Sequence, residues 1–498
     1  MPQFGFVGPA YQAANPAQDN QLCINWFVES DPNEPNPQAP FLNAAEAKTA
    51  LGLLGAPGLI ALNTAYSGEA RGSWTLPGGT AAIMVVGSNV LKVVATSKGS
   101  ATVTFLGSML SVSGHVSIRD NGSGHVAVLV DGANLYTVNT STWAFTTSTD
   151  PAFLQATNVA EIDGWFIFNQ PGTQKFYTSP NYWNGSTAFD GSYFALADNW
   201  PDNLVTLIEN NRELWLLGEA HCEPWYNAGG ANFPFSRIEG AMIQVGCAAK
   251  HSVARTGHSL IWLARSERGG FGVIQTEGYR YNTISTPAIA YALNQYSTVS
   301  DAIGYVYSEE GHEFYVLTLP TADVTWVYDL STGLWHQRAS FDPVSGLFHR
   351  QRANCHCSLA GMQVVGDYTN GRIYWQTRTA YADDQYPLVA LRRASHVWDK
   401  ADRNRVNHSR LQLEFFPGVG LLTGQGSDPQ AMLRWSDDGG QTWGNEHFAS
   451  IGKIGETKNR AIWRRLGSSR DRVYEVRVSD PVKRDIVGAS LQAAPTGA

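Results

Sequence analysis

The chain has 498 residues, of which 43% are apolar and 16% charged, and its formal net charge is −8. The length accommodates two to four domains, or one large repeat domain with additions. The apolar content excludes a disordered chain, and the acidic balance excludes a DNA binder held by phosphate neutralisation alone.

Sixteen Trp, 20 Tyr, 21 Phe and 49 Gly suit short strands joined by tight turns. No long stretch carries helical periodicity, so the chain reads as all-β. No apolar run reaches the roughly 18 residues of a membrane span. Met1-Pro2-Gln3-Phe4-Gly5 lacks the basic and apolar regions of a secretory signal, so none is expected. The five cysteines, Cys23, Cys222, Cys247, Cys355 and Cys357, are odd in number and scattered, which fits buried reduced thiols.

Residues 1–65 read as an N-terminal arm. Asn25-Trp26-Phe27-Val28-Glu29 is its one strand-like piece and a candidate closing strand, followed by the breaker run Asp31–Pro37. Seven hairpin signals follow over residues 66–380, beginning at Ala82, Val126, Gly164, Leu214, Leu260, Glu313 and Met362. Each is an apolar run, a turn and a second run rich in aromatic or β-branched residues. The gaps between these marks are 44, 38, 50, 46, 53 and 49 residues, the range of β-propeller blades. The expected fold is a degenerate seven-bladed propeller, with two successive sandwiches as the alternative.

Within the fourth unit, Glu219, His221 and Glu223 lie close in sequence and are expected to face solvent or a neighbouring subunit. From Tyr381 the texture changes to longer alternating segments, such as Arg410–Phe416 and Tyr474–Val478. This pattern predicts a C-terminal β-sandwich-like domain over 381–498. From Asp383 onward there are 17 Lys and Arg against 14 Asp and Glu, so this part carries +3 and the rest −11. Such asymmetry hints that the C-terminal part meets an acidic partner.

Ser436-Asp437-Asp438-Gly439-Gly440-Gln441-Thr442-Trp443 fits the Asp-box pattern of sialidase-type hairpins. In that pattern Ser436 and Asp438 bond turn amides, Gly440 takes a positive φ, and Trp443 packs beneath, with Thr442 completing the motif. The box is a structural device away from catalysis, and here it occurs once and outside the blades. A sialidase also needs an arginine cluster and an activated Tyr. A glycan-binding or sialidase-like propeller is therefore the alternative function, and no catalytic residue or cofactor is assigned.

His349, Cys355, His356 and Cys357 lack the spacing of a zinc knuckle, so no metal is assigned. The basic run after Lys453 is read as a strand face whose Arg464, Arg465, Arg470 and Arg472 form a possible interface with an acidic neighbour or with passing DNA.

Ser192-Tyr193-Phe194-Ala195, Pro201–Val205, the stretch Leu214–Gly229, Phe233-Pro234-Phe235 and Gly246-Cys247-Ala248-Ala249 carry a family resemblance. So do Trp435–Gly440, Ile451–Glu456, Arg464-Arg465-Leu466-Gly467 and Arg470-Asp471-Arg472-Val473. The chain resembles the packaged-DNA stabilisation proteins, also called tail hub or nozzle proteins, of short-tailed bacteriophages. The resemblance implies a structural virion protein of the tail, assembled in the host cytoplasm and without enzymatic activity. It further implies a homo-hexameric ring below the portal and its adaptor ring, holding tail fibres or tailspikes and a needle or plug. Packaged DNA would pass through the channel without sequence-specific binding.

Overall fold

A computed structural model describes residues 5–12, 14–15, 19–30, 51–63, 66–230, 233–266, 268–395 and 405–495. The breaker run Asp31–Pro37 lies outside them. Seven sheets surround one axis. The first four are Ala70–Ser108, Ser117–Thr147, Val159–Leu196 and Leu204–Arg237, each with four antiparallel strands stepping outward. Blade five spans Gly246–Thr283 and blade six Ile303–Gln337, while blade seven combines Ala353–Leu359, Met362–Asp367 and Ile373–Thr377 with Gly58–Ala61. The seven hairpin marks each fall in a different blade.

The apolar runs follow from blade packing. A second strand is buried on both faces, so its alternating side chains serve two neighbours. Ile83 and Val85 pack on Ala127 and Leu129 of blade two, while Met84 and Val86 pack on Cys355, Cys357 and Val364 of blade seven. Leu214 and Leu216 likewise face Ile167 of blade three, and Trp215 and Leu217 face Trp262 of blade five. Each such fully buried side chain contributes about 1.5–3 kcal/mol.

The N-terminal segment departs from the expected single arm. The closing strand is Gly58–Ala61, paired with Ile373–Thr377 in blade seven, and not Asn25–Glu29. Trp26–Glu29 pairs with Gly52–Gly55 in one sheet of the sandwich, beside Ile486–Pro495, Val406–Phe415 and Ala461–Arg464. Asn20–Ile24 enters the other sheet between Ala390–Ser395 and the outer strand of blade six, Leu334–Gln337. The pattern of the C-terminal strands alone could not reveal these partners, because strand pairing at such separation leaves no local signal.

Propeller and sandwich therefore share one ten-stranded sheet. One apolar core runs from Ile261 and Tyr315 in the blades to Leu411 and Val476 in the sandwich. The one α-helix among the described residues, Pro287–Gln295, buries Ala288, Ile289 and Leu293 beside it. Thr286 caps its N-terminus by accepting from the Ile289 amide. That helix is too short to cross a membrane.

Asn25 joins the parts. It is 1% exposed and takes a left-handed φ of 56°. Its Nδ2 donates to the carbonyls of Ala339 (2.8 Å) and Val389 (2.7 Å), and its Oδ1 accepts from the Ala339 amide at 3.0 Å. Asn25→Ala leaves three buried backbone groups unpaired and forces alanine into a region it disfavours. We expect a loss of about 3 kcal/mol or more in urea-induced unfolding.

Asp383 lies at the same junction. Burial pushes its carboxyl up to about 7, against the pull of Arg352 and Arg484. An unfolded aspartate titrates near 3.9, so between about pH 4 and 7 the folded chain holds a proton that the unfolded chain has released. This contribution to stability is lost as pH rises through that window. Thermal unfolding at pH 5 and pH 8 checks it: Asp383→Asn gains on the parent at pH 8 relative to pH 5, and an equal offset at both refutes the assignment.

Candidate functional site

Three places were candidates for function: the Asp box, the arginine face and the propeller axis. In the Asp box, Gly439 and Gly440 have φ of 74° and 98°, which only glycine takes at little cost. Ser436 Oγ donates to Asp438 Oδ1 at 2.6 Å and accepts from the Gly440 amide at 2.9 Å. Asp438 accepts from the amides of Gln441 and Thr442 and from the Thr442 hydroxyl. Its hydrogen bonds to Ser436 and Thr442 hold its pKa well below the usual carboxylate range.

Trp443 Nε1 donates to the Gly440 carbonyl at 3.1 Å, and Arg393 and Arg434 sit over its ring at 4.7 and 4.9 Å. The side chains of Ser436, Asp438, Thr442 and Trp443 are thus engaged within the turn or on its flank. The box closes the hairpin between Gln430–Ser436 and His447–Ser450 at the outer end of the shared sheet.

The four arginines do not form one surface. Arg464, Arg465 and Arg470 are exposed. Arg464 ends the strand Ala461–Arg464, opposite Arg410 on the neighbouring strand, and Arg465 begins the turn with φ of 60°. Arg472 is 2% exposed and unavailable to a partner. It forks onto the Asp437 carboxylate at 2.6 and 2.8 Å and donates to the Leu466 carbonyl at 2.6 Å. Its partner belongs to the Asp box, a proximity that spacing could not show.

Two further readings change. Glu219 is exposed, but His221 and Glu223 are buried rather than facing solvent. His221 lies on the Trp200 ring at 4.1 Å. Glu223 pairs with Arg237 at 2.9 Å, and burial raises its pKa. Cys355 and Cys357 face the blade-one core, while His356 on the other side of the strand bonds Gln363 at 2.8 Å. His349 is on a separate hairpin, bonded to Asp323. Sequence proximity did not bring these four together.

A cavity of about 520 Å³ lies on the propeller axis and is lined by the first strands of the blades and the loops that lead into them. Four antiparallel strands return the chain to the face where a blade began, so the first strands all run the same way along the axis. Residues before or early in these strands therefore ring one end of the chamber, and later residues ring the other.

The later ring is mixed in charge. Asp120 accepts from Trp74 Nε1 at 2.6 Å, Arg119 covers the Trp74 ring at 4.2 Å, and Arg255 pairs with Glu209. Glu161 accepts from the Gly164 amide, and burial raises its pKa. Burial, then the nearby Arg255, lowers Arg119 to about 10.

At the earlier end, His115 from blade two and His251 from blade five meet with ring centroids 4.0 Å apart. These blades are not neighbours, so the two rings close over the axis. Burial, then the cations Lys250, Arg119 and Arg71, pushes His115 down to about 4. His251 is lowered by burial, His115 and Lys250. Both rings are neutral at physiological pH.

The loop carrying His115 is held by Arg71, which is 1% exposed. The guanidinium donates to the carbonyls of Gly87, Ser111, Ser113 and Gly114 and to the Ser111 hydroxyl, at 2.6–2.9 Å. Nothing in the sequence around Arg71, His115 or Lys250 marks them, since they converge only through blade order. Arg71→Met leaves four carbonyls unpaired. We expect about 3 kcal/mol of destabilisation and faster amide exchange over 109–116 than elsewhere in blades one and two. Unchanged exchange there would refute the anchoring role.

Residues 41–381 match the family model Phage_stabilise, described as "Bacteriophage P22 Gp10, beta-propeller". Residues 395–494 match P22_Gp10_C, described as "Bacteriophage P22 Gp10, beta-sandwich". No curated protein matches the chain. Similar solved structures include the Neurospora crassa Pan2 WD40 domain, at 7% identity over 62% of this chain and 89% of that one, with a TM-score of 0.40. The N-terminal domain of Nup159 gives 8% identity, 65% and 95% coverage and a TM-score of 0.39. A chain of the S. cerevisiae assembly of Dbp5, Nup159 and Gle1 with IP6 and ADP gives 9%, 65%, 96% and 0.40.

Proposed function

The chain belongs to the family of bacteriophage P22 Gp10, phage virion proteins involved in DNA stabilisation, and from that premise we propose that it forms a tail hub. In this reading it is a homo-hexameric nozzle ring below the portal and its adaptor ring. It retains the packaged DNA and anchors tail fibres or tailspikes and a needle or plug. Assembly takes place in the host cytoplasm, and the DNA crosses the ring channel without being read.

The observation that carries this reading is the match of both family models in succession, propeller then sandwich, over 41–381 and 395–494. The mechanics are consistent with it. A propeller closed between its first and last strands has no free edge in the ring, and the sheet shared with the sandwich gives load a continuous hydrogen-bonded path. The reading gives the chain no catalytic part. Ser436, Asp438 and Thr442 spend their polar atoms on one another and on turn amides.

Exposed Arg464, Arg465 and Arg470 are the surface through which the sandwich would meet an acidic neighbour. Heads packaged without this chain should lose their DNA, and adding purified chain should prevent the loss and yield a six-fold ring on isolated portal–adaptor connectors. The triple charge reversal Arg464→Glu, Arg465→Glu, Arg470→Glu should weaken joining about tenfold or more at low salt. The reading is wrong if heads lacking the chain keep their genome and the chain stays monomeric beside connector rings.

A further inference from the structure

The axial chamber has a polarity that the tail-hub reading does not use. At its closed end, His115 and His251 present two imidazoles whose Nδ1 atoms are buried without a hydrogen-bond partner. A buried orphan N–H is rarer and costlier than a buried lone pair, so the ring protons reside on Nε2. The rings line the chamber, and with Nδ1 turned away, the Nε2–H edges are the donors left to it. Both imidazoles are neutral donors, and neither has an anionic partner among the described residues.

Lys250, adjacent in sequence to His251, also lines the chamber, and it has no ion pair among the described residues. The charges that act on His115 are all positive: Lys250, Arg119 and Arg71. Arg71 spends its hydrogen bonds on the loop carbonyls, and Arg119 directs one nitrogen to the Ile118 carbonyl at 2.7 Å. The carboxylates of Asp120, Glu161 and Glu209 sit at the opposite end, each engaged by a tryptophan N–H, a backbone amide or Arg255.

A half-buried ammonium and two N–H donors line this end with a guanidinium beyond them, while the carboxylate of Glu69 behind the His115 loop is outside the lining and accepts from the Gly114 amide at 2.7 Å. We propose that the axial chamber binds a small oxyanion of the phosphate class at its closed end, held by Lys250 and the Nε2–H groups of His115 and His251, with Arg119 facing it from within. The volume of about 520 Å³ is in the range of small-ligand sites and admits either a free phosphate or a phosphomonoester. At the far end the carboxylates and Arg255 are already engaged with one another or with a tryptophan N–H or a backbone amide, so the uncommitted donors named here lie at the closed end. Anion binding also balances the cations that the fold concentrates around the two histidines.

Calorimetric titration of the purified full chain with inorganic phosphate tests this, with sulfate as competitor. The expected result is saturable binding that Lys250→Gln weakens about tenfold or more, that Lys250→Arg retains, and that Lys458→Gln in the sandwich leaves unchanged. Adenosine monophosphate separates the two sources. Binding tighter than phosphate identifies a phosphomonoester, and equal or weaker binding identifies the free ion. The proposal is overturned by the absence of saturable binding of either probe, or by Lys250→Gln and Lys458→Gln binding as the parent does.

Discussion

The structure depends on one closure, the pairing of Gly58–Ala61 with Ile373–Thr377. More than three hundred residues separate these strands, and without the pairing blade seven keeps three strands and an open edge. The geometry is tight. A Cβ on Gly58 would stand 2.4 Å from the Ala382 carbonyl oxygen and 2.7 Å from that of Ala380, so only glycine fits. Just before this strand, Gly52–Gly55 lies in the sandwich, paired with Trp26–Glu29 from earlier in the chain, and Asn20–Ile24 enters the shared sheet. Ring closure and attachment of the second domain are thus one event in the chain, and contacts of such separation make that event slow.

Where strands cannot hold these long excursions, buried arginines do. Arg71 ties the loop over the axis, and Arg392 donates to the carbonyls of Phe6, Pro9 and Leu22. Arg484 donates to the Leu388 carbonyl at 2.5 Å beside the junction, and Trp26 Nε1 donates to the Arg484 carbonyl in turn. Arg71 and Arg392 each bond several main-chain carbonyls, and Arg484 bonds one. Five donors in a rigid fork can satisfy several irregular carbonyls at once, which lysine cannot do. Burial of the charge is tolerated because each carbonyl would otherwise be unpaired.

What was legible in the sequence was what is local. The hairpins of the seven blades announce themselves because a strand and its return lie within about a dozen residues and both are apolar on two faces. The Asp box was readable for the same reason, since Ser436 to Trp443 complete the turn among themselves. The first strands of the blades were missed. Ser117–Asp120 and Ala254–Thr256 are short and line the chamber, so they carry no apolar pattern. Arg472 resembled its exposed neighbours because nothing in its own surroundings reveals Asp437. The chamber residues were invisible for a stronger reason: His115 and His251 touch only because blades two and five face each other across the axis.

The surviving arginines show how a structural cost can point to a partner. Arg410 and Arg464 stand directly opposite on paired strands, an arrangement that destabilises a sheet when both are charged. Arg465 follows in the turn, and Arg470 lies just beyond on the same edge. Salt screens this repulsion at the exposed edge. An acidic neighbour would remove it and gain the attraction of several charges at once, so on the tail-hub reading the edge that is least comfortable alone is the edge on which assembly depends. The propeller part, residues 66–380, with an excess of 7 negative charges over its basic residues, carries the complementary sign, which on the tail-hub reading favours joining between unlike regions of adjacent subunits over joining between like ones.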